Sequence, residues 1–349
     1  YGVYAKFQDI FATPLSFQSN RSLAGDVPVQ WLGSVVQEVK KGAGGASHDI
    51  SAYREVQLGD CSGKLSKRVL RSSLLPYINE YVLDSMCGGF KARGVDFCSH
   101  ILRTKLRLAK ALALSVAVFF VDIVNAFGNV VRSLVVPCEI SDDYVAYVFG
   151  RFGFKQDIFH EFADVLRSPA AMVDAGVPIH LLDQIKPFMS SSWFTAKGVP
   201  HCMIYNQGTG AGNPLADLLF TFVMGKVLRA IQCKLVCANV CEPLPVSTCD
   251  FAPSNHTDVV YDLGASYVDD KVFTVTDKVP VVCLNKARVM ASIVLDTCAA
   301  HGLPCNFKIN KSNFILILRG KNAANVRKSL PREVKHLVVN VGTKAYGNI

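Results

Sequence analysis

The chain has 349 residues, half of them hydrophobic, and a formal net charge of +9 from 37 Lys and Arg against 28 Asp and Glu. This composition excludes a disordered chain and suffices for one large domain or two modest ones. The basic balance suits a polyanionic partner such as nucleic acid, although many unrelated proteins are mildly basic. No apolar run reaches the roughly 20 residues of a membrane-spanning helix, and no signal-peptide pattern follows Tyr1. We therefore expect an internal fragment of an intracellular protein, with no membrane partner.

The 12 cysteines are scattered, and no Cys-x-x-Cys pair occurs among them. This usage favours a reduced, intracellular protein. Four of them cluster along the chain, namely Cys233, Cys237, Cys241 and Cys249. A zinc site is one interpretation of the cluster, and small apolar residues on a helix that runs into a loop are the favoured one.

The first predicted elements are two strands and a helix. Residues 31–39 and 53–58 alternate and are rich in valine, which predicts the two strands of a long hairpin around the basic, Gly-rich loop 40–45. From Lys64 onward, apolar residues recur with helical spacing. The basic residues mostly off that face, Lys64, Lys67, Arg68 and Arg71, are candidates for nucleic-acid backbone contacts, and solvated surface charges are the alternative.

Three aspartates carry the predicted chemistry. The continuous apolar run 116–121 is typical of a central strand buried on both faces, and Asp122 follows it directly. Asp269 and Asp270 stand between the short apolar runs 263–268 and 272–275, at the tip of a predicted hairpin. Adjacent carboxylates repel each other unless a cation joins them, and a third carboxylate completes a two-metal site. The alternatives are a solvated hairpin tip and a helix cap at Asp122.

The segments between and after these aspartates predict further loops, helices and a strand. A Gly-rich loop, 208–213, precedes Pro214, where a helix is expected to begin and to run to Ile231. Residues 233–260 predict an inserted loop, 281–300 a helix and 314–318 a last strand.

In this order, the motifs resemble those of reverse transcriptases, most closely the reverse transcriptases of LINE-like (non-LTR) retrotransposons. Residues 121–127, 212–220, 267–270 and 311–312 resemble the four palm motifs, and 53–58 and 89–96 resemble the fingers motifs. The resemblance implies an α+β polymerase right-hand fold, whose palm is a small antiparallel sheet backed by helices. The palm would occupy 114–349, with an insertion at about 233–260. An N-terminal extension and α/β fingers would occupy 1–113, and the thumb would be largely absent.

The resemblance also implies an RNA-directed DNA polymerase located in the nucleus. Its partners would be an RNA template, a DNA primer and deoxynucleoside triphosphates. Two Mg²⁺ ions, or Mn²⁺ as a substitute, would be held by Asp122, Asp269 and Asp270. Nucleotide-binding roles fall on Arg54 at the triphosphate, Gly212 at a close backbone approach, and Lys311 near the leaving pyrophosphate, with Lys308 as its competitor.

Phe127 bears on the class of polymerase. It lies where reverse transcriptases carry a bulky aromatic residue under the sugar, and a phenyl ring there would clash with a 2′-hydroxyl. Ordinary core packing is an equally supported alternative for this ring. RNA-dependent RNA polymerases usually carry an acidic residue at this position, so that class is disfavoured. The second motif has Ala211 where the family usually has Gln. A catalytically decayed, nucleic-acid-binding remnant is therefore the second hypothesis.

Overall fold

A computed structural model of the chain describes residues 2–41, 52–90, 93–241, 243–244, 260–261, 264–308, 311–330, 338–341 and 344–348. The chain divides into two compact units. The first unit consists of Tyr1–Val82, Asn125–Val148 and Asp164–Met224, and the second of Leu83–Val124, Phe149–Ala163 and Gly225–Ile349. Both units combine helices with a sheet, which confirms the α+β class predicted from the sequence.

The strands are short and dispersed along the chain. They are β1 (Gly33–Lys40), β2 (Tyr53–Gly59), β3 (Met86–Cys87), β4 (Ser115–Val121), β5 (Trp193–Ala196), β6 (Met203–Ile204), β7 (Pro243–Leu244), β8 (Val260–Tyr261), β9 (Ala265–Tyr267), β10 (Asp270–Asp277), β11 (Asn313–Ile317), β12 (Val338–Val341) and β13 (Lys344–Asn348).

The helices include several long ones. They are α1 (Gly2–Lys6), α2 (Gln8–Leu23), α3 (Val29–Leu32), α4 (Cys61–Tyr81), α5 (Val95–Ala111), α6 (Ala126–Asn129), α7 (Asp142–Phe152), α8 (Phe159–Arg167), α9 (Ala171–Asp174), α10 (Ile179–Ser190), α11 (Ala216–Cys237), α12 (Pro280–Ala300) and α13 (Ala323–Ser329). Short 3₁₀ turns lie at Arg132–Leu134 and Gln156–Ile158.

The first unit contains a four-stranded sheet in the order β2-β1-β5-β6. Strands β1 and β2 pair antiparallel, which confirms the predicted hairpin, and β1 pairs parallel with β5. Helix α4 follows β2 directly. The Asp60 carboxylate caps this helix by accepting hydrogen bonds from the backbone N–H groups of Ser62 at 2.9 Å and Gly63 at 3.0 Å. Leu70, Leu74 and Ile78 form its buried face.

The second unit is built on a five-stranded sheet in the order β11-β4-β10-β9-β3. Its pairings are antiparallel except for β3 with β9. Strand β4 is almost wholly buried, as its continuous apolar sequence predicts. Ala109 of α5 packs against Val116 and Val118 of β4, and α12 also contacts β4 and β10.

Two predicted elements match the structure closely, and a third continues further than expected. Helix α12 and strand β11 agree with their predicted ranges to within one residue at each end. Helix α11 continues to Cys237, so the first part of the predicted insertion 233–260 is helical. Beyond it, β7 and β8 pair antiparallel, and residues 245–259 lie outside the described part of the chain. None of the described helices combines the length and apolar character that crossing a membrane requires.

Candidate active site

The second unit brings the three aspartates to one end of its sheet. Strand β4 ends at Val121, directly before Asp122, and β10 begins at Asp270. Val121 pairs with Lys271 across the antiparallel β4–β10 ladder. The next position in that register places Asp122 opposite Asp270, while Asp269 lies in the turn between β9 and β10. The sheet therefore assembles carboxylates that are far apart in the sequence.

The aspartates are close enough to influence one another's ionisation. Partial burial, followed by the charges of Asp269 and Asp122, raises the pKa of Asp270 above its usual value. The ammonium groups of Lys271 and Lys311 act in the opposite direction. The cluster therefore contains both the repulsion expected of grouped carboxylates and protein cations that oppose it.

The turn before β11 holds Asp122 in place. The Asn306 side-chain amide donates a hydrogen bond to Asp122 Oδ2 at 2.7 Å, and the Asn306 backbone N–H donates to the Asp122 carbonyl at 2.8 Å. The Ser312 hydroxyl oxygen accepts a hydrogen bond from the Asp122 backbone N–H at 3.2 Å. Lys311 Nζ lies 3.3 Å from Asp122 Oδ1. Lys311, which the sequence pointed to ahead of Lys308, thus contacts a candidate metal ligand directly.

A buried lysine fixes the turn that carries Asp269. Lys271 is 3% exposed, and its ammonium group donates a hydrogen bond to the Val268 carbonyl. Val268 has φ of +53°, which is rare for a β-branched residue and costs about 1–3 kcal/mol. A Cβ on Gly88, itself at φ +82°, would lie 2.7 Å from the Val268 side chain, so glycine is required there. The strained turn is therefore held from two sides.

The chemistry of the donors suits magnesium, because aspartate supplies the hard oxygen ligands that Mg²⁺ prefers. In the described part of the chain, however, no three His, Cys, Asp or Glu side chains are grouped closely enough to hold a metal ion. Instead, the Asn306 amide and the Lys311 ammonium contact the two carboxylate oxygens of Asp122. The binding of two Mg²⁺ ions by these aspartates stays a prediction.

The first unit brings two of the predicted nucleotide-binding residues, Phe127 and Gly212, together at the Gly-rich loop. The Thr209 backbone N–H donates to the Phe127 carbonyl at 2.9 Å, and the Gln57 N–H of β2 donates to the Ala211 carbonyl at 2.7 Å. Gly212 has φ of +92°, and a Cβ there would lie 2.8 Å from the Gln57 carbonyl oxygen. The close approach that requires glycine at this position is thus an approach to β2 of the same unit.

Phe127 and Arg54 differ in their burial and in their contacts with the rest of the protein. Phe127 is half-buried, and its ring centroid lies 5.0 Å from that of Phe220 on α11. Arg54 is exposed on β2, opposite Val39. The ring is therefore supported by the core from one side, and the guanidinium is accessible to a ligand. The roles of both residues toward a nucleotide stay predictions.

The predicted nucleic-acid contacts on α4 fall into two groups. Lys64 and Arg68 are at least partly exposed. Arg71 instead forms a two-pronged ion pair with Asp217, with Nη–Oδ distances of 2.6 and 2.7 Å, and Lys67 is buried. The guanidinium of Arg71 thus ties α4 to the first turn of α11, where a carboxylate also suits the helix dipole.

The cysteine cluster is only partly described. Cys233 and Cys237 are exposed on α11, Cys241 is half-buried, and Cys249 lies outside the described residues. Whether these thiols bind zinc stays untested.

Sequence reasoning missed two groups of residues. One is Asn306, whose contact with Asp122 depends on a turn that periodicity does not reveal. The other is Thr209, within the Gly-rich loop, and Arg132, which donates a hydrogen bond to that loop. Only the position of Asn306, between a predicted helix and a predicted strand and five residues before Lys311, gave a signal.

Solved structures of Candida tropicalis telomerase are similar to this chain. The apo enzyme truncated from its C-terminal domain has a TM-score of 0.46 at 10% identity, over 84% of this chain and 51% of that chain. The complex with the TWJ fragment of telomeric RNA has a TM-score of 0.45 at 10% identity, over 83% and 41%. Another apo structure has a TM-score of 0.43 at 12% identity, over 84% and 45%. The chain therefore spans about half the length of these telomerases or less. No protein-family model and no curated protein matches it.

Proposed function

We propose that this chain is the fingers-palm core of an RNA-directed DNA polymerase from a LINE-like retroelement. The observation that carries the proposal is that the central strand β4 ends directly before Asp122 and that its last residue, Val121, pairs with Lys271, which directly follows Asp269 and Asp270. Carboxylates at one end of an antiparallel sheet suit nucleotidyl transfer assisted by two divalent cations, whose binding would have to draw the three side chains closer together. The Gly-rich loop and Phe127 support the same proposal from the first unit.

Each residue has a stated task in the proposed reaction. Asp122, Asp269 and Asp270 would hold two magnesium ions, which when bound supply activation of the primer 3′-hydroxyl and charge neutralisation at the triphosphate. The Asn306 side-chain amide donates one hydrogen bond to the Asp122 carboxylate. Because the amide is uncharged, it fixes the orientation of the carboxylate without neutralising its charge. Lys311 is exposed and lies 3.3 Å from Asp122 Oδ1, and it would donate a hydrogen bond to the leaving pyrophosphate.

The first unit would bind the substrate. The exposed guanidinium of Arg54 offers paired donors that match phosphate oxygens. The Phe127 ring, supported by Phe220, would lie under the deoxyribose and exclude a 2′-hydroxyl by overlap. These roles make the chain selective for deoxynucleotides without any hydrogen bond to the sugar.

Primer extension tests the proposal directly. The chain is assayed on RNA and DNA templates, with Mg²⁺ or Mn²⁺ and with deoxynucleotides or ribonucleotides, and we expect deoxynucleotide extension on RNA. Extension with ribonucleotides alone would identify an RNA polymerase. Retained nucleic-acid binding without extension under any condition would identify the non-catalytic remnant, which the Ala211 departure favours.

Phe127→Val sharpens the choice of polymerase class. Truncating the ring removes a steric penalty, so discrimination against ribonucleotides should fall by about ten- to a thousandfold, or roughly 1.4–4 kcal/mol. The measurement is kcat/KM for each nucleotide in single-nucleotide extension. Phe220→Leu is the matched control, because it alters the same packing without shortening the ring at position 127. An active Val variant with unchanged sugar preference would place Phe127 in the core alone.

A further inference from the structure

The first unit contains a cavity that the proposed reaction does not use. Its volume is about 30 Å³, at least twice the roughly 10–15 Å³ that one water requires. The cavity lies among β1, β2, the start of α4 and the Gly-rich loop. Its polar lining includes Gln57, Lys64, Lys67, Arg132, Thr209 and Asn213.

A buried cation that forms no ion pair in the described structure lines this cavity. Lys67 is 7% exposed, and its ammonium group lies 4.9 Å from the centroid of the Phe188 ring. Burial, and after it the charge of Lys64, lowers the pKa of Lys67 to about 8, while the charge of Asp60 acts in the opposite direction, so the group is still charged at neutral pH. Among the described residues, no carboxylate forms an ion pair with Lys67. A buried charge is costly unless it is paired and hydrogen-bonded.

Two buried polar atoms of the same lining also have no partner. Thr209 is 4% exposed and Gln57 is 9% exposed. In the described structure, neither Thr209 Oγ1 nor Gln57 Nε2 makes a hydrogen bond of normal geometry, although the Gln57 side chain lies near enough to the Tyr205 hydroxyl to oppose the rise in the pKa of Tyr205. Because native proteins pair nearly all buried polar atoms, two unpaired atoms beside an ammonium group without an ion pair make this lining a candidate ligand site. Lys67 Nζ and Gln57 Nε2 can only donate hydrogen bonds and the Thr209 hydroxyl can also donate, so a ligand that supplies acceptors satisfies all three.

Arg132 makes the wall of the cavity rigid and positive. Its Nε donates to the Gly208 carbonyl at 3.0 Å and its Nη2 to the Ser192 hydroxyl at 2.8 Å, while Nη1 donates to the Met189 carbonyl. The guanidinium is thus held by neutral acceptors and keeps its full charge. Lys64, at the start of α4, adds a further positive charge.

We propose that this cavity binds a single phosphate-like anion. Its oxygens would accept hydrogen bonds from Lys67 Nζ, Thr209 Oγ1 and Gln57 Nε2, in the positive field of Lys64 and Arg132. The size of the cavity suits one tetrahedral group and excludes a nucleobase. The group is either free phosphate or a phosphate of a polynucleotide backbone. Only the second source rests on the proposed function.

The experiment titrates inorganic phosphate into the full chain by calorimetry, without nucleotides or metal. We expect one site in the unsubstituted chain, at least tenfold weaker binding in Lys67→Met and several-fold weaker binding in Thr209→Val, which preserves the shape of the side chain. The matched control is Lys105→Met. It removes a half-buried lysine, whose Nζ donates to Thr274 at 2.9 Å and which is not part of the cavity lining. Its affinity for phosphate should be unchanged.

A competition experiment distinguishes a site for free phosphate from a site for a backbone phosphate. If an oligonucleotide displaces phosphate from the unsubstituted chain and Lys67→Met weakens oligonucleotide binding, the anion is a backbone phosphate. If phosphate binds and the oligonucleotide does not compete, the site takes a free anion. Absence of phosphate binding, or equal binding in the Lys67 and Lys105 variants, overturns the proposal. An inactive chain that binds phosphate at this site would refute the polymerase and leave the anion site standing.

Discussion

The carboxylate cluster of the second unit and the cationic cavity of the first are both concentrations of charge, but they differ in what surrounds them. Asp122, Asp269 and Asp270 have cations from their own unit, since Lys311 contacts Asp122 and Lys271 lies under the turn. In the cavity, Lys67 has an aromatic ring as its neighbour, and two polar atoms beside it are unpaired.

This difference indicates how each region responds to its ligand. The carboxylate cluster has protein cations beside it, so a metal ion would have to compete with Lys311 for Asp122. Lys67 forms no ion pair among the described residues, so an anion that binds it should stabilise the fold directly. The following predictions test the two halves of this comparison, from the largest expected effect to the smallest.

Asp269→Asn should have the largest effect. Primer extension is expected to fall by about a thousandfold, roughly 4 kcal/mol on the transition-state scale, because the amide is a poor ligand for magnesium. Unfolding free energy should stay within about 1 kcal/mol of the unsubstituted chain, since Lys271 and Lys311 remain. Steady-state extension and urea denaturation are the measurements.

The matched control is Asp277→Asn, at the opposite end of β10. Asp277 pairs with Lys286 at 3.0 Å and is not part of the carboxylate cluster. It should lose some stability and keep its extension activity. Equal loss of activity in both variants would mean that the cluster has no special role.

Lys67→Met should make the protein more stable. Replacing a buried, unpaired ammonium with an apolar side chain of similar length removes its desolvation cost, so unfolding free energy should rise by about 1–3 kcal/mol. Saturating phosphate should stabilise the unsubstituted chain and have little effect on this variant. Chemical denaturation with and without phosphate measures both. A destabilised Lys67→Met variant would show that the ammonium already has a favourable environment.

The smallest expected effect is a rise in stability between pH 7 and pH 9. Burial lowers the pKa of Lys67 to about 8 and that of Lys105 to about 7. Since unfolded lysine titrates near 10.4, the unfolded chain binds more protons in this range, and unfolding free energy increases with pH.

Above pH 9 the trend should reverse. Burial raises the pKa of Cys241 and Cys283 to about 11, so the unfolded chain releases these protons first and stability falls. Urea denaturation at pH 7, 8, 9 and 10 under reducing conditions measures the curve, and Lys67→Met should show a shallower rise. A stability that already declines from pH 7 to pH 8.5 would contradict these lysine environments.

The sequence alone determined the elements that carry the carboxylates. A continuous apolar run is compatible only with a buried strand or helix, and its length favoured the strand β4 that the structure shows. The polar residues between two short apolar runs predicted the turn at Asp269, and the helical spacing of apolar residues predicted α11 and α12. These are local signals, since they arise from the spacing of side chains along one element.

The tertiary structure decided which charged side chains form ion pairs and which do not. On α4, Arg71 meets Asp217, 146 positions away, whereas Lys67 is directed inward and meets no carboxylate among the described residues. Asn306 reaches Asp122 across 184 positions. The sequence pattern does not distinguish one basic residue of a helix from another. Their different environments arise only when the helix packs against elements that are distant in the sequence. The sequence therefore predicted a site for nucleotidyl transfer, and the fold revealed the cationic cavity.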